Sequence, residues 1–234
     1  MTRASRRKMI AGVVGAALAG TASPPALVLA EPSDRDLLLT GFLLAPPTYF
    51  LGVTLHEGSH ALAAKLVGAD LVSMSILPGR DQRTGAFHFG LTRVAKLHGR
   101  GNQAFFYVAP KITDSVLLAG FGALVLTDGW PRNRYGQLVL TVVASGLWID
   151  FAKDVLTFSK FNDVTKLGNL YCVNTEWRRL PARLLYGAVA AGFGYLVYRG
   201  IERTFDASAA SATSTTVRYA EPPPWSASLY STNF

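Results

Sequence analysis

What most constrains this chain is a set of long apolar runs separated by short polar loops. They cover roughly residues 37–67, 104–126, 137–158 and 183–198. Each is near or above the ~20 residues that a helix needs to cross the hydrocarbon core of a bilayer. In a soluble domain about a quarter of residues are charged; here the share is 16%, and half of the 234 residues are hydrophobic. Clumped apolar residues with so few charges set the expected fold class. It is mainly α, a polytopic transmembrane helix bundle of about four to five spans.

One segment breaks the helical pattern. "ADLVSMSILPGRDQRTGAFHFGLTRV", from Ala69 to Val94, alternates polar and apolar residues around a Pro-Gly pair and a charged cluster. That pattern predicts a small β-hairpin between the first long run and the next. Within the first run, Pro46 and Pro47 interrupt the helix, and proline is best tolerated in a first turn, so the main helix is expected to begin near Pro46. Gly68 is the expected stop.

The formal charge is +8, which raises the possibility of a nucleic-acid partner. Its distribution argues against one. Arg3, Arg6, Arg7 and Lys8 crowd the N-terminus, and the remaining excess falls in two interhelical loops. Arg80, Arg83, Arg93, Lys96 and Arg100 lie in one loop, and Lys160, Lys166, Arg178 and Arg179 in the other. The turn near Trp130 has only Arg132 and Arg134. Positive-inside bias places the two richer loops in the cytoplasm, so the expected partner is a lipid bilayer and not a nucleic acid.

Residues 1–30 combine a basic stretch, a short apolar core and "VLA" before Glu31. They are expected to form a secretory signal-like segment or, alternatively, a first transmembrane helix. Residues 31–204 form the expected membrane domain. Residues 205–234, rich in Ala, Ser, Thr and Pro, are the expected disordered tail. Cys172 is the only cysteine, which leaves no intrachain disulfide and no cysteine-rich metal site.

Polar chemistry inside the apolar runs is concentrated in "HEGSH", His56 to His60. Two histidines four residues apart project from one helix face and can share a tetrahedral metal ion, most often zinc. Glu57, rotated about 100° around the helix, can reach a water beside that ion and act as general base. A charge at mid-membrane costs ~3 kcal/mol or more, so such residues generally serve function. The structural alternative is a cluster of interhelical hydrogen bonds.

The stretch "HEGSHALAAKLVGADLVSMSILPG" resembles the metal-binding helix and following strand of the site-2 protease family of intramembrane zinc metalloproteases. That family commonly reads His-Glu-x-Gly-His; here Gly58 and Ser59 place the glycine one position early. "VAPKITD", Val108 to Asp114, is similar to the family's Ala-Gly-Pro segment, with Ala109 in place of the glycine. The likeness spans roughly residues 46–163. It implies a Zn2+ cofactor held by His56, His60 and an aspartate, with Glu57 as catalytic base. It further implies a membrane protein substrate and a multi-pass location in a bacterial-type inner membrane, the active site toward the cytoplasm.

The family's third ligand sits in an Asn-x-x-Pro…Asp-Gly motif that this chain lacks. Candidates are Asp150, Asp154 and Asp163. Asp163 occupies about the place of the family's aspartate and is the favoured ligand. By depth along its helix Asp154 is also within reach, and Asp150 shares its face. As structural alternatives, Asp163 would cap a helix and the other two would pair with Lys153. His88 and His98 fall in the hairpin and loop, where histidines seldom bind metal, and Asp114 is expected to orient a neighbour. A catalytically inactive membrane scaffold derived from the same family is the alternative function, supported by the missing aspartate motif and opposed by the intact HEGSH.

Overall fold

The computed structural model describes residues 31–82, 85–156 and 162–206. The expected signal-like segment and nearly all of the expected tail lie outside the described residues. Within them the chain is mainly helical. It has α1 (Asp34–Leu66), α2 (Arg100–Leu126), α3 (Arg134–Leu156), α4 (Asp163–Leu170) and α5 (Glu176–Phe205), with four short strands between α1 and α2. By length and composition α1, α2 and α5 can each cross a membrane. The sequence-based expectation was four to five spans; α3, at 23 residues, is counted outside those three.

The first helix starts earlier than its prolines predict. Ser33 caps it, accepting from the Asp36 amide while Asp36 accepts from the Ser33 amide, a reciprocal capping box. From Asp34 the helix runs straight through Pro46 and Pro47. Leu43, Leu44 and Ala45, strong helix formers, lead into the two prolines, and neighbouring structure can offset the lost amide donors. The C-terminus is as expected. Gly68 at φ +74° lets its amide reach the Lys65 carbonyl and the Ala69 amide reach Ala64, the paired bonds of a Schellman ending.

The hairpin has two tiers. Strand β1 (Asp70–Ser75) pairs antiparallel with β4 (Leu91–Ala95) with a bulge between Leu71 and Ser73, and β2 (Gly79–Arg80) pairs with β3 (Phe87–His88). It lies back along α1. Phe89 meets Tyr49 edge to face, with ring centroids 6.3 Å apart, and Tyr49 is ~25 Å up the helix from Leu66.

Packing is inverted relative to a soluble protein. Leucine and phenylalanine side chains such as Phe42, Leu43 and Leu185 face outward, while Glu57, His60, Lys111, Asp114 and Asp154 are buried. The apolar core is shared by α2, α3 and α5, with Leu118, Phe121, Leu147, Phe151 and Val197 at its centre. At one end of the bundle Arg134 of α3 donates to the Pro32 and Thr204 carbonyls and pairs with Asp34, joining the start of α1 to the end of α5. The opposite end holds the C-terminus of α1, the hairpin, the start of α2, the end of α3 and α4. The two cation-rich loops share that end.

Candidate metal centre

The histidine pair is set by helix geometry. His56 and His60 lie one turn apart on α1, their ring centroids 5.2 Å apart. Asp163, the first residue of α4, comes up to both: its Oδ2 lies 3.3 Å from His56 Nε2 and 3.0 Å from His60 Nε2. Asn162 caps α4 by accepting from the Thr165 amide, so Asp163 is freed from that role and turns inward. One ligand atom from each of His56, His60 and Asp163 falls within 4.8 Å of the others, a group that could hold a metal ion.

The far side of each ring decides the near side. His60 Nδ1 is 2.8 Å from the Phe106 carbonyl, and His56 Nδ1 is 2.8 Å from Asp150 Oδ2. Both partners are acceptors, so each Nδ1 carries the proton and each neutral ring presents a lone pair at Nε2. Two lone pairs and a carboxylate oxygen then converge with no donor among them. Such a meeting is stable only if protons on both rings, or a cation, sit between them. The donor set of two imidazoles and a carboxylate suits a divalent transition metal, zinc foremost. Lys166 Nζ lies 3.0 Å from Asp163 Oδ1 and favours its carboxylate form, the form in which it can be a ligand.

Around this group, Lys111 pairs with Asp114, Asp150 and Asp154, Lys153 with Asp150, and Lys166 with Asp163.

Glu57 is buried beside the histidines and shares with them, Asp163 and Asp150 a cavity of about 520 Å³. Its Oε2 accepts from the Thr92 hydroxyl at 2.6 Å. The cavity is walled by α1, the hairpin segment from Ala86 to Thr92, the end of α3 and the start of α4.

The other sequence candidates have separate places. Asp154 pairs with Lys111 at 3.0 Å and touches neither histidine. Asp150 contacts a histidine through the nitrogen that faces away from the centre, and it also pairs with Lys153. Asp114 lies 3.6 Å from Lys111. His88 lines the cavity but stands outside the ligand group, and His98 is exposed. Pro110 sits inside α2 and does not open it.

Sequence reasoning missed Lys111, Thr92, Gly90 and the Phe106 carbonyl. Lys111 had a signal, a cation within an apolar run three residues from an aspartate. The carbonyl had none. Searches against family models, curated proteins and solved structures gave no match to this chain.

Proposed function

We propose that the chain is an intramembrane zinc metalloprotease of the site-2 type, cleaving a peptide bond of a membrane protein substrate. The observation that supports this best is the convergence of His56, His60 and Asp163 beside Glu57 in one cavity. The likeness to that family rests on the HEGSH helix and its flanks. In this reading α3 is a fourth span, packed at the centre of the bundle, and the cation-rich end faces the cytoplasm.

His56 and His60 would hold zinc through Nε2 and Asp163 through Oδ2. A bound zinc ion would lower the pKa of a water from 15.7 to about 7 and polarise the scissile carbonyl. The residues supply the rest. Asp150 and the Phe106 carbonyl keep both Nε2 atoms aimed at the centre. The Glu57 carboxylate takes a proton from the attacking water and returns it to the departing amine.

The deciding comparison is wild type against Glu57→Gln, each purified in detergent and assayed for zinc by elemental analysis. Both are expected to carry about one zinc, and only wild type to cleave single-span membrane peptides, with products identified by mass spectrometry. Zinc bound with no cleavage in either protein would favour the inactive scaffold; no zinc in either would remove the metal reading.

A further inference from the structure

Behind the metal-facing edge, the two histidines are held by different means. His60 leans on main chain, its Nδ1 bonded to the Phe106 carbonyl and its ring stacked on Phe106 with centroids 4.5 Å apart. His56 leans on a side chain. Asp150 of α3 accepts from its Nδ1, and an aspartate alone has two rotatable bonds with which to swing away.

Lys111 of α2 removes that freedom. Its Nζ donates to the Asp150 carbonyl at 2.8 Å and lies 3.2 Å from Asp150 Oδ2, the same oxygen that receives His56. Two bonds to one residue fix both its backbone and its carboxylate. Lys111 is itself pinned by Asp154 at 3.0 Å and Asp114 at 3.6 Å, and it is only 5% exposed. If Lys111 served only to join α2 to α3, Asp154 would suffice as its partner. The added contact with Asp150 ties it to the metal centre. A lysine in the middle of an apolar helix is costly to keep, and positioning a ligand is a reason to keep it.

We propose that Lys111 is a positioning residue of the metal centre, acting through Asp150 to hold His56 with Nε2 toward Asp163. The proposal rests on the metal reading above. Support from groups behind a ligand typically changes metal affinity by roughly 10–100-fold.

Lys111→Met alone would strand the buried carboxylates of Asp114 and Asp154, so the test uses Lys111→Met/Asp154→Asn, which removes one charge of each sign. Asp150→Asn interrupts the next link, and Asp154→Asn alone is the control. Zinc affinity is measured by chelator competition on the full chain in detergent, the visible spectrum after cobalt substitution reports ligand geometry, and circular dichroism reports the helices. Expected are an affinity loss of about tenfold or more and a shifted cobalt band in Asp150→Asn and in the double variant, with helices intact and the control within about threefold of wild type. A folded double variant with wild-type affinity and spectrum would overturn the proposal. So would a double variant that loses its helices, since Lys111 would then be holding the bundle and not the site. Wild type that takes up no zinc would overturn the metal reading and this inference with it.

Discussion

Thr92 on β4 donates its hydroxyl to Glu57 on α1, 2.6 Å from the carboxylate Oε2 and 3.1 Å from the backbone carbonyl of the same residue. One proton is shared between two acceptors, so the hairpin grips Glu57, the general base of the proposed reaction, by side chain and main chain together.

Thr92→Val keeps the shape and removes the donor. Zinc content is expected to be unchanged, because no ligand is touched. Turnover is expected to fall about tenfold, a fraction of the 10²–10⁴ that a positioned acid–base group supplies. Parallel measurement of bound zinc and of peptide cleavage checks it; unchanged turnover would show that Thr92 does not orient the base.

Gly90 makes the same seam intolerant of bulk. A Cβ there would stand 2.7 Å from Glu57 Cγ and Oε1 and 2.7 Å from Val53 Cγ1. All three distances are shorter than a Cβ tolerates, so Gly90→Ala is expected to push the hairpin off α1 and to displace the Glu57 side chain. A thermal-shift comparison should show a loss of roughly 1–3 kcal/mol, the usual cost of overpacking. Cleavage should fall with it while zinc remains bound.

The long helices were legible because apolar runs of twenty residues have few other uses, and three of them are long and apolar enough to cross a membrane. His56 and His60 were legible because the i, i+4 spacing is local, and Asp163 because it stands about where the resembled family places its aspartate. The start of α1 was obscured by Pro46 and Pro47, whose local penalty is overridden by the capping box at Ser33 and by the apolar surroundings. What could not be read were the partners that folding brings from far along the chain. Lys111 and Asp150 are 39 residues apart, and Thr92 and Glu57 are 35 apart. Alternation in the hairpin predicted strands but not that Gly90 and Thr92 would lie against Glu57. A backbone carbonyl such as that of Phe106 carries no mark in the sequence at all.

Three aspartates competed for the role of third ligand, and the geometry separates them. Only the Asp163 carboxylate reaches both Nε2 atoms, whereas Asp154 faces Lys111. Asp163→Ala is expected to weaken zinc binding by about a hundredfold or more, beyond the 10–100-fold typical of a supporting group. Asp154→Ala is expected to cost stability through its stranded lysine and to leave a folded fraction that still binds zinc. Equal zinc loss in the two variants would remove Asp163 from the ligand set.

Metal removal should loosen one element selectively. The helix α4 is eight residues long, well under the roughly 12–15 that an isolated helix needs to persist in water. Its hold on the bundle is made at its first turn by Asp163, which meets both histidines, and by Lys166 over the Tyr107 ring, and at its end by Asn169, which accepts from Arg179 at 2.7 Å. With an ion present, Asp163 is attached to α1 by a shared cation. Once a chelator removes it, the carboxylate faces two imidazole lone pairs, and the strongest link at that end turns repulsive unless the rings take up protons. Amide exchange measured by mass spectrometry at neutral pH should therefore speed up across 163–170 on chelation and recover when zinc is restored. Amides in the middle of α2 and α3, held by the apolar core, should exchange at the same rate in both states. Equal protection of α4 with and without the metal would mean that the ion does not anchor it.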